Sequence, residues 1–330
     1  MTMAKSFYKN NFFKELLQMT YQQPHLDHKS DLYKNAAQAE KELLSAYDLT
    51  EQEHWFTYQK ENLRIRVSEI GEGTPVVVVP GNTGDMFPFI PLLAQMKENK
   101  FFLFNRPGGG LSDGMNHEKV TIRPFIIDLF DQLLAELHLE KVTIMAHSMG
   151  CHWSLWYAMA RPERVEKLVM VGNPGRVMLG KTPLPLKMMV KPIIGEHAVK
   201  KMVPKNYEQA LNGLKMMGTN EKALAGMPDE FRECYYRFQN LPNYQESTLS
   251  LLRIFNANDQ NEIKATELAA LNFPVEMIWG ANDTFATLDK GQEIAAALPN
   301  CQFNLIEDAG HMPWIDQPMI CAKLISQFIN

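Results

Sequence analysis

Apolar positions change their spacing along the chain. In the first 50 residues the spacing is helical: Phe13, Leu16, Leu17 and Thr20 recur on one face with Lys9 and Lys14 at its flanks, and a second helix is expected over 33–47. From Trp55 apolar and polar positions alternate. Residues 55–58 and 63–67 predict a hairpin, Gly71-Glu72-Gly73 a turn, and Val76-Val77-Val78-Val79 a strand buried on both faces. Further strands are expected at 101–104, in the run from Val142 to Ser148, at 168–172, in the run 274–280 and at 302–306. Between two of them Ile126, Leu129, Leu133, Leu134 and Leu137 mark an amphipathic helix over 125–137. After Ser148, the residues Cys151, Trp153, Leu155, Trp156 and Tyr157 make a helix apolar nearly all round, which has to be buried. Strands that alternate with helices in this way imply a mostly parallel sheet covered on both faces.

Between Asn173 and about Asn272 the alternation stops. Pro183, Pro185, Pro192, Pro204, Pro228 and Pro242 interrupt short helical stretches that carry Met178, Met188, Met189, Met202, Met216, Met217 and Met227. The pattern divides the chain into an N-terminal helical extension (1–50), an α/β core (51–175 and 272–330) and a helical segment (176–271) inserted into it.

Length agrees with one large α/β domain plus an insertion, or with two domains: the chain has 330 residues, 45% of them hydrophobic. The charge of 33 − 38 = −5 argues against a general nucleic-acid binder. Cys151, Cys234, Cys301 and Cys321 show no metal-type pairing, so free thiols and a cytoplasmic location are expected. No apolar run approaches the ~20 residues of a membrane span, and the N-terminus lacks the apolar core of a secretory signal. Its cationic helix is expected to pack on its own domain or on a second subunit rather than to lie on a membrane. Lys181, Lys187, Lys191, Lys200, Lys201 and Lys205, opposed by Glu196, make the first part of the insertion basic, which is expected to be a solvated face.

The candidate chemistry centres on Ala146-His147-Ser148-Met149-Gly150, where a β-branched run breaks into small-x-Ser-x-Gly and turns helical. A sharp strand-to-helix turn lifts the serine hydroxyl clear and aims the N-terminus of a helix at it. The stretch resembles the nucleophile elbow of the α/β-hydrolase superfamily, with Ala146 in place of the commoner first Gly. Two further motifs resemble that family. The run 274–283 ends in Gly280-Ala281-Asn282-Asp283, similar to its acid loop, and Gly310-His311-Met312-Pro313 is similar to its histidine loop. The order Ser148, Asp283, His311 is the family's. Asp308 is a competing acid, three residues before His311 and less well placed.

The resemblance implies an α/β-hydrolase fold with a helical cap, and a triad of Ser148, His311 and Asp283. It implies oxyanion donors from the main chain of Asn82, in Pro80-Gly81-Asn82 after the central strand, and of Met149. Pro80 stands where the family usually has His. The glycine-rich tract 105–113 is similar to a loop found at the same place in the family, and is expected to be scaffold; it lacks the pattern of a phosphate loop, and no dinucleotide signature follows. His147 and His152 are expected to pack rather than to react. No cofactor and no metal are implied. A serine nucleophile speaks against haloalkane dehalogenases and epoxide hydrolases, which use Asp there. What remains is cleavage of a carboxylic ester of an apolar small molecule, with lactone or C–C bond hydrolysis, cofactor-free dioxygenation and ligand reception as alternatives. Self-association through the N-terminal helices is conceivable.

Overall fold

The protein's computed structural model describes residues 25–179, 187–188, 190–257 and 259–330. Eight strands form one sheet: β1 (Glu51–Tyr58), β2 (Leu63–Ile70), β3 (Thr74–Val79), β4 (Asn99–Phe104), β5 (Val142–His147), β6 (Val165–Val171), β7 (Val275–Gly280) and β8 (Cys301–Ile306), in the order β1-β2-β4-β3-β5-β6-β7-β8. The pairings of β1 with β2 and of β2 with β4 are antiparallel; the others are parallel. This is the mostly parallel sheet expected from the strand and helix pattern, and the α/β-hydrolase fold that the resemblance implies.

Alternation along β3 explains why both faces of the sheet are covered. Val77 and Val79 enter one apolar core, with helices α2 (Ile122–Glu136) and α3 (Met149–Ala160). Val76 and Val78 enter the other, with α1 (Asp31–Ala46) and α10 (Pro318–Ile329). Each side chain of such a strand loses its water, and full burial of one Val stabilises by roughly 1.5–3 kcal/mol.

The N-terminal helix expected over 33–47 is α1. Ser30 caps it by accepting the Tyr33 N–H, and Ala36, Ala39, Leu43 and Leu44 face the same core as β3 and β4. Its one buried charge, Glu40, meets the Arg66 guanidinium of β2 at 2.6 Å; Glu51 and Glu53 of β1 complete the shell at 2.7 and 2.9 Å. One buried cation thus joins the helix to the hairpin. The helix expected around residues 13–20 lies outside the described residues.

Between β6 and β7 the chain forms α4 (Ile194–Met202), α5 (Asn212–Met216), α6 (Glu221–Gly226), α7 (Asp229–Gln239) and α8 (Tyr244–Ala257). Phe231, Tyr235 and Phe238 of α7 surround Phe87, with ring centroids 6.1, 4.8 and 4.9 Å away, which anchors this insertion to the loop after β3. Of the residues named for this stretch, Lys181, Pro183, Pro185 and Met189 lie outside the described residues. Helix α9 (Leu288–Ala296) links β7 to β8. Among the described residues no helix is long and apolar enough to cross a membrane.

Candidate active site

Ser148 sits between β5 and α3 with φ 52° and ψ −123°, a conformation that costs an L-residue about 1–3 kcal/mol and persists only where its surroundings impose it. Its N–H donates to the Val171 carbonyl at 3.0 Å. Gly150 makes the turn possible: a Cβ there would lie 2.4 Å from the Val79 oxygen and 2.5 Å from that of Pro80. Helix α3 therefore starts in direct contact with the end of β3, and the small Ala146 is fully buried beneath.

At the end of β7, Asp283 turns its carboxylate inward. Its Oδ2 accepts from His311 Nδ1 at 2.7 Å and from the Asn173 N–H at 3.0 Å, while Oδ1 accepts the Phe285 N–H at 2.8 Å. Both side chains of the His–Asp pair are buried. Since a carboxylate only accepts, His311 carries its proton on Nδ1 and leaves the Nε2 lone pair for another partner. Asp308, the rival acid, is exposed; its carbonyl takes the Asn220 side chain at 3.0 Å.

Ser148 and His311 approach from two sides of one turn. Val171 holds the Ser148 N–H, and a Cβ on the following Gly172 would lie 3.0 Å from His311 Nδ1. His147, next to the serine, donates from Nε2 to the His311 carbonyl at 3.1 Å, with ring centroids 4.7 Å apart. No hydrogen bond joins the Ser148 hydroxyl to His311, so Asp283 and His311 are the two bonded members of the set. Such contacts are commonly loose without substrate and tighten in the complex. Burial, with His311 alongside, pushes the His147 imidazole far below the usual histidine range, so it stays neutral and serves as a fixed strut. His152 packs edge-on against Trp156 and Phe255 at 4.4 and 4.9 Å, and burial pushes it down to about 3.

The loop after β3 lies directly over the serine. A Cβ on Gly81 would come within 3.2 Å of Ser148 Cβ and 3.0 Å of His147 Nδ1. Asn82 follows, and Met149 opens α3, where first-turn N–H groups have no partner within the helix. The tract 105–113 does more than the scaffold role expected of it. Arg106, almost fully buried, donates from Nε and Nη2 to the Gly81 carbonyl at 3.1 and 2.8 Å, and from Nη2 to the Asn82 carbonyl. Burial pushes it down to about 9 and pushes the nearby Asp85 up to about 7. An arginine at the end of an apolar strand was the sequence signal for this contact; its partners are backbone atoms, which a sequence does not display.

The insertion also reaches the site. The Met217 carbonyl, just after α5, accepts the His311 N–H at 2.8 Å, and Thr284 Oγ1 donates to the Met216 carbonyl at 2.9 Å. Phe285, more than half exposed, lies 4.4 Å from the His311 ring. The contacts of Met216 and Met217 were not foreseen, because both depend on how a 100-residue excursion folds back.

A family model described as alpha/beta hydrolase fold matches residues 74–193. A 2-hydroxy-6-oxononadienedioate/2-hydroxy-6-oxononatrienedioate hydrolase of Pseudomonas putida is 27% identical over 283 residues, 82% of this chain and 92% of that protein. Among solved structures, the carboxylesterase CesB of Bacillus subtilis superposes with a TM-score of 0.69 at 14% identity, covering 91% of this chain and 99% of that one. A meta-cleavage product hydrolase of Pseudomonas fluorescens gives 0.65 at 19% identity, covering 82% and 95%. With the sheet order, the strained serine turn and these likenesses together, the chain belongs to the α/β-hydrolase superfamily and is a hydrolase.

Proposed function

We propose that the protein cleaves a carboxylic ester of an apolar small molecule, with Ser148 as nucleophile, His311 as general base and Asp283 as its orienting acid. His311 Nε2 takes the hydroxyl proton as Ser148 attacks the carbonyl carbon. The tetrahedral oxyanion is held by the N–H groups of Asn82 and Met149, and collapse expels the alcohol, which receives the proton from His311. Water, activated by the same imidazole, then attacks the acyl-serine and releases the acid. The observation that carries this reading is the buried 2.7 Å contact of His311 with Asp283, beside a serine in a strained turn. The flexible methionines of residues 176–271 suit a lid that closes around irregular apolar groups.

A fluorophosphonate probe labels Ser148 on this reading, and labelling and ester turnover are lost in Ser148→Ala and His311→Ala. An unlabelled, folded protein would remove the serine chemistry altogether. Hydrolysis of a C–C bond is the second reading, favoured by the name of the Pseudomonas putida relative. Ultraviolet absorbance of a 2-hydroxy-6-oxodienoate, followed beside a series of p-nitrophenyl esters, separates the two. Faster loss of the dienoate would replace the ester proposal while leaving the triad in place.

A further inference from the structure

We infer that Arg106 is a positioning residue that aims and polarises the main-chain N–H of Asn82. The inference rests on the reading of that N–H as an oxyanion donor. A trans peptide points its C=O and N–H in opposite directions, and no peptide among the described residues is cis. The unit joining Gly81 to Asn82 carries the Gly81 carbonyl at one end and the Asn82 N–H at the other. Arg106 holds that carbonyl with two donors, Nε at 3.1 Å and Nη2 at 2.8 Å, so the N–H is turned away from the guanidinium. The next carbonyl, that of Asn82, is held by Nη2 as well, which fixes the following peptide in the same sense.

Charge adds to direction. The guanidinium is a full cation at the oxygen end of the peptide dipole, and hydrogen bonds in series polarise one another where the dielectric is low. An N–H whose own carbonyl is bound by a buried cation is a stronger donor than a free amide. Among the described residues Arg106 has no carboxylate within 4 Å; its charge acts at contact on those carbonyls and on the Trp153 ring 5.1 Å away, and at longer range on the buried Asp85. The two loops are locked together independently of the side chain. The Gly110 N–H donates to Asp85 Oδ1, in the loop after β3, at 3.1 Å, and a Cβ on Gly84 of that loop would lie 2.6 Å from Gly109 Cα. The backbone thus keeps its path when the guanidinium is removed, while the aim and polarity of the Asn82 N–H do not survive.

The test uses the full chain as wild type, Arg106→Met, Arg106→Lys and Ser148→Ala. Kinetics on a p-nitrophenyl ester, the affinity for phenylboronic acid as a tetrahedral adduct, and the thermal midpoint are measured for each. Loss of a whole oxyanion donor costs about 10²–10³ in kcat, so a weakened one in Arg106→Met should lower kcat by about 10–100-fold. KM should move little, and boronate binding should weaken by the same factor as kcat. Arg106→Lys, which keeps the charge without the fork, should fall between. If Arg106→Met does not fold, the carbonyl stretch of a slowly deacylating acyl-enzyme in Arg106→Lys decides: a shift to higher wavenumber supports the inference and an unchanged band overturns it. A folded Arg106→Met with wild-type kcat, or with KM raised in place of kcat, overturns it too. Ester turnover that survives in Ser148→Ala would instead overturn the site assignment itself, so the two failures are distinguishable.

Discussion

Replacing Asp283 by Asn tests the His–Asp pair most sharply, because the change keeps volume while it removes the charge and turns one accepting oxygen into a donating NH2. In the native site one carboxylate receives three donors: His311 Nδ1 at 2.7 Å, the Asn173 N–H at 3.0 Å and the Phe285 N–H at 2.8 Å. An amide has one oxygen. If that oxygen keeps the Oδ2 position, the new NH2 faces the Phe285 N–H; if it takes the Oδ1 position, the NH2 faces both the Asn173 N–H and the imidazole. In the second arrangement His311 must hold its proton on Nε2, the atom that accepts from Ser148 in the proposed mechanism. In the first, it keeps the right tautomer but loses the charge that steadies the imidazolium. The expected loss of turnover is about 10⁴, which is about 5 kcal/mol of transition-state stabilisation. Steady-state kcat on a p-nitrophenyl ester, with circular dichroism to show a native fold, is the measurement. A folded Asp283→Asn variant that turns over within about tenfold of wild type would refute the reasoning.

Gly150→Ala should destabilise the protein by about 2–4 kcal/mol, since its methyl would sit 2.4 and 2.5 Å from two fixed carbonyls; denaturant melts read this, and an unchanged midpoint would contradict the packing. Arg66→Met should cost about 3–5 kcal/mol by leaving Glu40, Glu51 and Glu53 around a site without its cation, measured by the same melts. Burial pushes Glu276 up to about 7, with Asn304 donating to one of its oxygens at 3.0 Å. The folded state therefore binds this proton more tightly than the unfolded chain, whose carboxyl titrates near ~4.3, and stability is lost as pH rises from there through about 7. Glu276→Gln should flatten that part of the stability–pH curve, and an identical slope in wild type and variant would exclude Glu276 as its source.

Much of the frame was legible because burial imposes period. The run 76–79 reads as a two-face strand since both sides of β3 are covered, and the apolar helix after Ser148 is α3, buried from Met149 to Ala158. Edges were harder. The first strand was expected at Trp55 and begins at Glu51, because Glu51 and Glu53 turn to Arg66 rather than to an apolar core, and a strand end bought with charge leaves no hydrophobic pattern. Likewise α2 starts at Ile122, ahead of the apolar spacing, with Pro124 in the first turn, where its missing N–H has no role.

The same division runs through the site. Local sequence determined the turn at Ser148, since only a small residue at 150 lets strand and helix cross, and it placed Asp283 and His311 at strand ends in the family's order. Tertiary structure decided that Asp283 rather than Asp308 meets the imidazole. It also turned a glycine-loop arginine onto the Gly81 carbonyl and laid the Met217 carbonyl against the His311 N–H. The physical reason is that periodicity and turn chemistry are short-range properties of neighbouring residues. Pairings across tens of residues depend on backbone atoms whose direction exists only once the chain has folded.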